Sequence, residues 1–594
     1  MTLAATPWLE WARPHLSPEA AARLGRWLGD PDLAEFVPEI AALVEREEWA
    51  ELEDSFYTDV PVGTGGRRGR LGVGPNRINT RTVGESAQGL ARFIASFGPE
   101  ALARGVVVGY DARRLSRELA EVTARVFAAS GIPCSLFDGV RATPEVSFAI
   151  RHLGTQAGVV ITASHNPRTD NGFKFYWDDG GQVVPPDDAR FTEFVSAVDR
   201  VPLYESVARA MADGLVKLVG REVDEAYLAA VAALAPPSSR SAAIMFSAVH
   251  GVGATNVLPA LERLGFAVQV VPEHLQPDPD FPTFPDGVIN PEYPSVMRLA
   301  VERGSAAGCD IVLVADPDAD RVGVAARRSF GSTVMALLDG NQVGALLTYF
   351  VLNSIRAQGT LPAGATVVTT AVTTSLIGDI ARALGARAVE HLPVGFKFIG
   401  RTIKELPDPS AYVFGCEESL GYLRGTYARD KDAASAAVLL AALASHLRDA
   451  GRTLLDELDE IHGRFGYYRN RLRMDEYPGR DGLEAINRVM AGLRARPPAA
   501  LGGLPVVRAV DWRETNELNP RDRSDMFTLF LSEDGRSRVT ARPSGTEAKI
   551  KYYVQHHAAP GLAKELQETR WRIDRQAEAI EQDLVREAAR ILAG

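Results

Sequence analysis

The sequence predicts an α/β fold in which three related α/β domains with mixed sheets stand in tandem, followed by a C-terminal α+β domain and preceded by a helical N-terminal extension. Three observations carry this prediction. A strand, helix, strand pattern begins at Gly105 and recurs twice. Beyond residue 463 the pattern changes to short alternating strands and one amphipathic helix. The length, 594 residues, exceeds what one core supports and suits about four domains of ordinary size. The expected divisions are 1–52 for the extension, 53–220, 221–330, 331–463 and 464–594.

Each element has a local reason. In the extension, Ser17-Pro18-Glu19 reads as an N-cap with proline at N1, and Leu24, Trp27 and Leu28 follow at helical spacing. The extension is expected to pack without contributing chemistry. Val106–Val108 is a short buried strand, Ser116 starts a helix through Leu119, Val122 and Val126, and Gly131 ends it. Strands around Ser135–Phe137 and Val159–Ile161 complete a parallel sheet built by right-handed crossovers. A second unit runs from Ala243–Phe246 through the turn His250-Gly-Val-Gly253 to Ile311–Val314, and Thr366–Thr369 opens a third. The repetition is one of pattern, and no strict sequence repeat accompanies it.

The C-terminal part carries strands at Phe527–Leu531, Ser537–Ala541 and Lys549–Val554, with a turn at Asp534-Gly535. Its closing helix places Leu562, Leu566, Ile573, Ile580, Leu584 and Ile591 on one face. Expected linkers lie near Arg221, at Arg327–Ser332 and at Gly463–Tyr468. Hinge motion is expected near 463–470.

Composition narrows the function. The formal charge of −11, from 65 basic and 76 acidic residues, opposes non-specific nucleic-acid binding. The three cysteines, Cys134, Cys309 and Cys416, are too far apart for a disulfide framework or a cysteine metal site. No run approaches the roughly 20 apolar residues of a membrane span, and the N-terminus lacks a signal-peptide pattern. A cytoplasmic enzyme without membrane or nucleic-acid partners is the expectation, and oligomeric state is left unassigned.

Five stretches could carry chemistry. Thr162-Ala-Ser164-His165-Asn-Pro167 leaves the apolar run Gly158–Ile161, placing a hydroxyl at the end of a buried strand, where open α/β sheets bind ligands. Serine is a weak nucleophile without a base, metal or stored phosphate, and no G-x-S-x-G elbow surrounds it. Asp316-Pro-Asp318-Ala-Asp320-Arg321 follows the strand Ile311–Val314. On an extended backbone its three carboxylates share a face and suit Mg²⁺, the alternative being a solvated acidic loop. Arg542-Pro-Ser544-Gly545-Thr546-Glu547 offers a guanidinium fork, two hydroxyls and a glycine as an anion clamp, or forms a simple turn. Gly415-Cys-Glu417-Glu-Ser419-Leu-Gly421 offers carboxylates to sugar hydroxyls, or is a structural turn. Gly63-Thr-Gly-Gly-Arg67-Arg68-Gly69 holds an anion through one of its arginines, or is a flexible loop.

Two further readings concern neighbours of these stretches. In Asp170–Trp177, Phe173, Phe175 and Trp177 alternate with Lys174 and Tyr176, so aromatics in the core would turn Lys174 towards the Ser164 cleft. Gly395-Phe-Lys397-Phe-Ile-Gly400-Arg401-Thr402 has Walker A glycine spacing, but arginine replaces the lysine and aromatics crowd the loop, which argues against a nucleotide site.

Serine loop, aspartate triplet, acidic loop and anion clamp occur in that order, one per expected domain. Together they resemble the α-D-phosphohexomutase superfamily over about residues 54 to 590. The stretches 163–177 and 315–321, with Gly425-Thr to Asp430-Lys-Asp432, look most like its phosphoglucomutase-2/phosphopentomutase branch. The resemblance implies four domains around a central cleft and Ser164 as phosphoryl carrier. It implies Mg²⁺ on Asp316, Asp318, Asp320 and Ser164, and Arg68 and Arg321 on the transferring group. His165 and Lys174 are implied in proton movement, and Gly395, Lys397, Glu417 and Ser419 in sugar reading. Arg542, Ser544, Gly545 and Thr546 are implied on the non-reacting phosphate. The implied partner is a small-molecule phosphosugar: glucose 1-phosphate and glucose 6-phosphate interconverted through glucose 1,6-bisphosphate, which also activates. Phosphopentomutase and phosphomannomutase are the alternatives, with a phosphatase or bisphosphate synthase using the same phosphoserine. Ala548, in place of a frequent proline, and the Gly-Gly-Arg-Arg front loop depart from the family pattern.

Overall fold

The computed structural model describes residues 6–594 apart from 64–65, 478–481, 515–517, 519, 545–548 and 562–565. The first sheet contains β1 (Val62–Gly63), β2 (Gly66–Arg70), β3 (Val106–Tyr110), β4 (Cys134–Phe137), β5 (Ala157–Ile161), β6 (Asp170–Trp177) and β7 (Val216–Val219), in the order 1-2-6-5-3-4-7. The second contains β8 (Ile244–Ser247), β9 (Val268–Val270), β10 (Ile311–Ala315), β11 (Val322–Arg327) and β12 (Met335–Leu338), ordered 12-11-10-8-9. In the third, β13 (Thr366–Thr370), β14 (Arg387–Leu392), β15 (Tyr412–Glu417) and β16 (Gly421–Arg424) are ordered 14-13-15-16.

One topology recurs in all three. The cores of the sheets are 6-5-3-4, 11-10-8-9 and 16-15-13-14. In each, three parallel strands end in an antiparallel partner that returns directly from its predecessor. The hairpin loops at this return are the serine loop, the aspartate loop and the Glu-Glu-Ser loop. A common fold therefore places three chemically different loops at equivalent positions, at the carboxyl end of a central parallel strand.

The fourth sheet is antiparallel, with β17 (Tyr467–Glu476), β20 (Arg508–Asp511), β21 (Phe527–Phe530), β22 (Arg538–Pro543) and β23 (Lys549–Ala558) ordered 17-23-22-21-20. The short pair β18 (Ala500–Leu501) and β19 (Leu504–Pro505) stands apart. The closing helix Leu566–Ala593 buries Ala577, Ile580 and Leu584 against this sheet, and Ile573 is buried as well. Leu562 lies outside the described residues.

The α/β class is as the sequence predicts, but the expected linkers differ. Arg221 opens the helix Arg221–Ala232. Arg327–Ser332 belongs to the hairpin joining β11 to β12, so a boundary at 330/331 cuts a paired unit. Gly463 lies inside the helix Leu454–Phe465, which leaves Gly466 as the single residue between that helix and β17.

Packing ties the modules together. The alanine-rich helix Ala433–Asp449 is buried nearly all round, and a continuous apolar core joins Val257 and Leu261 of the second module to Leu439, Leu440 and Leu443 of the third. The N-terminal extension has its own small core of Leu24, Trp27, Ile40, Leu52 and Phe56, and Ser17 Oγ caps its helix by accepting from the Ala20 N–H. Its last helix, Trp49–Phe56, holds the buried Arg77 through Glu51 at 2.7 Å and Asp54 at 2.6 Å.

Candidate active site

Four sheets face one cleft of about 940 Å³, whose lining includes Arg68, Ser164, His165, Lys174, Arg321, Gly395, Glu417, Ser419, Arg542 and Ser544. Strand β5 is buried throughout and delivers Ser164 to the floor. Ser164 has φ +55°, a left-handed conformation that costs an ordinary side chain about 1 kcal/mol and persists only where the surroundings fix it. Its Oγ donates to Asp316 Oδ2 at 3.3 Å and lies 3.2 Å from His165 Nδ1. Burial, then the positive charges of Arg321 and Arg68, hold the His165 pKa well below its ordinary value. The imidazole is thereby biased towards its neutral form.

Asp316, Asp318 and Asp320 are fully buried, and one oxygen from each lies within 4.8 Å of the others. The loop is not extended, contrary to the sequence expectation. It curls through Ala319 at φ +50°, and Asp316 Oδ1 accepts the N–H groups of Asp320 and Arg321. Convergence comes from that curl and not from strand alternation. Asp318 Oδ1 and both Asp320 oxygens are buried without a hydrogen-bond donor, although Lys431 and Arg321 lie beside Asp320 as ion partners. Buried carboxylate oxygens lacking donors fit a hard divalent cation such as Mg²⁺.

Strand β6 alternates as expected. Phe173 and Phe175 enter the core, while Lys174 Nζ reaches Asp318 Oδ2 at 2.8 Å. Burial alone would raise the Asp318 pKa, but Lys174 holds it well below the carboxylate range. Alternation also separates the two arginines of β2. Arg68 donates to Asn166 Oδ1 at 3.1 Å in the cleft, whereas Arg67 turns away to Thr82 O and Glu85. Gly66 has a steric reason, since a Cβ there would lie 1.7 Å from Phe173 O.

The acidic loop joins the metal loop directly. Arg321 Nη1 donates to Ser419 O at 3.2 Å, and Arg321 bridges Gly421 backbone to backbone. Burial pushes Glu417 up to about 7, against the pull of Lys431. Gly395, at φ +127°, opens the helix Phe396–Glu405 and lines the cleft. Lys397 does not line it: its amine points to Asp188, 4.0 Å away. Arg542 sits on β22 beside Lys551 of β23, and the Ser544 N–H closes that hairpin on Lys549 O at 2.8 Å. Gly545 and Thr546 lie outside the described residues.

Several site residues went unassigned in the sequence. Lys431 Nζ reaches Asp320 Oδ2 at 2.8 Å, passing Gly421, where a Cβ would meet its side chain at 2.5 Å. Thr143 Oγ1, at the start of the helix Thr143–Leu153, donates to Asp318 Oδ2 at 2.8 Å. Asp111 and Arg113 stand behind the serine loop. Their only local signal is that each follows or precedes an apolar element's end.

Family models match three consecutive stretches: the phosphoglucomutase/phosphomannomutase alpha/beta/alpha domains I, II and III over residues 60–201, 225–331 and 339–463. A phosphoglucomutase of Staphylococcus aureus is 32% identical over 520 residues, covering 86% of this chain and 92% of the relative. One of Staphylococcus haemolyticus is 30% identical over 528 residues, covering 87% and 93%. A putative phosphomannomutase from Thermus thermophilus shares the fold with a TM-score of 0.62 at 22% identity, over 87% of this chain and 99% of that one. The Paramecium phosphoglucomutase pp63/parafusin, in its open form, has a TM-score of 0.62 at 17% identity, over 90% and 96%.

Proposed function

The chain belongs to the phosphoglucomutase/phosphomannomutase family of phosphohexomutase isomerases, and from that membership we propose that it interconverts glucose 1-phosphate and glucose 6-phosphate with Ser164 as phosphoryl carrier. The observation that carries the reading is the buried Ser164 hydroxyl, 3.3 Å from Asp316 at the floor of a cleft lined by Arg68 and Arg321. Phosphoryl transfer depends mainly on positioning and on neutralising charge over the phosphoryl oxygens. Mg²⁺ bound by Asp316, Asp318, Asp320 and the Ser164 oxygen would supply part of that neutralisation.

In the forward direction the Oγ–P bond of phospho-Ser164 breaks as a sugar hydroxyl forms its own bond to phosphorus, giving glucose 1,6-bisphosphate. The hydroxyl proton passes to a neighbouring base, for which the neutral His165 is available. The bisphosphate turns and returns its other phosphoryl group to Ser164. Arg68 and Arg321 steady the moving group, Lys174 fixes Asp318, and Glu417 with Ser419 receives sugar hydroxyls. Gly395 is assigned the sugar contact on its helix, because Lys397 faces Asp188. Arg542, Ser544, Gly545 and Thr546 are assigned the non-reacting phosphate, and glucose 1,6-bisphosphate primes an unphosphorylated enzyme. The proposed domains follow the expected divisions with two changes: the extension continues to Phe56, the end of its last helix, and the 221–330 domain is extended to include β12.

Glucose is preferred because the two staphylococcal relatives, at 30% and 32% identity, are phosphoglucomutases and the Glu417-Glu418-Ser419 loop offers paired carboxylates. Coupled assays with glucose, mannose and ribose 1-phosphates test the choice, and a higher kcat/KM for mannose or ribose overturns it. Ser164→Ala retaining turnover refutes the carrier role, as does intact-mass analysis finding no phosphoryl group on Ser164 after incubation with glucose 1,6-bisphosphate.

A further inference from the structure

Behind Ser164 lies a second polar layer that no cleft surface reaches. The Arg113 side chain is fully enclosed and is not among the residues that line the cleft. Its guanidinium spends its donors on one loop. Nη2 donates to Ser164 O and Asn166 O, both at 2.6 Å, and Nη1 donates to Pro167 O at 2.8 Å and Asp170 O at 2.9 Å.

Asp111 completes the grip from the other side. Its Oδ2 accepts from Thr162 Oγ1 at 2.6 Å, and that same Thr162 oxygen accepts the Ser164 N–H at 2.8 Å. Its Oδ1 accepts the Arg113 N–H and the Ser116 hydroxyl, at 3.0 and 2.8 Å. The two side chains pair at 3.3 Å, and the Phe281 ring from the second module covers the guanidinium at 5.8 Å. Both backbone groups of Ser164 are thus held: the N–H through Thr162 and Asp111, the carbonyl by Arg113.

We propose that Arg113, supported by Asp111, is a positioning residue that fixes the left-handed turn at Ser164 and thereby aims its hydroxyl at the transferring phosphoryl group. The inference rests on the carrier role proposed above. A carrier that must both give and receive a phosphoryl group gains from a hydroxyl whose backbone does not move between the two steps. A fork of donors reaching four carbonyls is specific to arginine, because a lysine amine offers a single point and cannot span them.

The test uses the full-length enzyme with Arg113→Lys, Arg113→Ala and Asp111→Asn. Thermal midpoints check folding, and coupled assays give kcat and KM for glucose 1-phosphate. Intact mass gives the rate at which glucose 1,6-bisphosphate phosphorylates Ser164. Displacing the nucleophile by about 1 Å should lower kcat and the phosphorylation rate on the order of 100-fold. KM should stay within about twofold, because no substrate contact is removed. Millimolar guanidinium should restore part of the Arg113→Ala rate, and ammonium should not. If Arg113→Ala does not fold, Arg113→Lys and Asp111→Asn decide. Folded variants that phosphorylate Ser164 at the wild-type rate, or that lose activity through KM alone, overturn the positioning role. A wild-type enzyme that never carries phosphate on Ser164 overturns the carrier reading instead.

Discussion

Lys431 Nζ lies 2.8 Å from Asp320 Oδ2, so the third module delivers a buried cation to the carboxylate cluster of the second. The loop that carries it is held on every side. Tyr176 of β6 donates to Asp430 at 2.8 Å, Tyr227 and Tyr427 donate to Asp432, and the Arg429 N–H donates to Ser147 Oγ at 3.0 Å. Burial would lower the Lys431 pKa, but Asp320 and Asp430 hold it above the ordinary lysine value, so the cation persists across the working pH range. Lys431→Met removes a positive charge from the cluster. The half-saturating Mg²⁺ concentration should therefore fall severalfold while kcat drops, because orientation of Asp320 is lost. A magnesium titration of both enzymes measures this, and an unchanged half-saturation with full turnover would contradict it.

Metal removal gives a second expectation. Asp318 Oδ1 and both Asp320 oxygens are buried without a hydrogen-bond donor, and the ion partners beside the cluster leave those acceptor positions unfilled. Chelator-treated enzyme should lose turnover and recover it with Mg²⁺. Its thermal midpoint should rise with added Mg²⁺, since a ligand that binds only the folded state stabilises it by mass action. Calorimetric scans at increasing Mg²⁺ check the second part independently of activity.

Much of this architecture was legible in the sequence because it is encoded locally. The apolar runs of β3, β5 and β10, the Ser17 cap and the alternation of β6 are short-range patterns read at their own period. Only the first two residues of β17 fell within the expected linker, and the rest of the strand went unread because Arg469 and Arg471 pair with Asp574 and Glu581 of the closing helix, so it lacks the apolar alternation that marks a half-buried strand. Lys431 and Arg113 were missed because their partners lie far off in sequence, 111 residues away for Lys431 and 51 for Ser164 with Arg113, and no periodicity reports such pairs.

Glu417 gives a pH dependence. Burial raises its carboxyl to about 7 despite Lys431, so it is ionised above that pH and protonated below it. Only the ionised form accepts hydrogen bonds from two sugar hydroxyls. Below pH 7, kcat/KM for glucose 1-phosphate should fall by about tenfold per pH unit, and above it should level off. Glu417→Gln should be less active throughout and should lack this limb, which separates it from titration of the substrate phosphate. Identical profiles for the two enzymes would count against the assignment.

Leu439 sits wholly buried in the core that the second and third modules share. Leu439→Ala should destabilise by about 2–5 kcal/mol, the range for a large-to-small change in a packed core. Because the core is continuous, both modules should lose stability together. Hydrogen exchange should show faster opening in the strands β8 and β13 alike, and a response confined to one of them would argue for independent cores.

The fourth sheet is docked on the third module by named contacts. Both Nη atoms of Arg401 bind the Asp522 carboxylate in a buried pair, one at 2.7 Å. Arg538 donates to Ser375 Oγ at 2.5 Å and Thr373 O at 3.1 Å, and Arg536 with Tyr468 holds Asp379. The connection between the two units is Gly466, at φ +98°, where a Cβ would lie 2.5 Å from Ala558 O. Within residues 463–470 only Gly466 is neither helical nor paired, so a hinge in that stretch would turn at this residue. Arg401 stands on the same helix that Gly395 opens, so the latch bears on the cleft wall that carries Gly395. Arg401→Ala leaves Asp522 buried without its fork and should let the fourth unit swing outward. Small-angle scattering should then show a larger radius of gyration, and KM for glucose 1-phosphate should rise severalfold if Arg542 and Ser544 hold the distal phosphate as proposed. Phosphorylation of Ser164 at saturating bisphosphate should change little, as the serine and aspartate loops lie in the first two modules. An unchanged scattering profile with an unchanged KM would show that the remaining contacts hold the unit without Arg401.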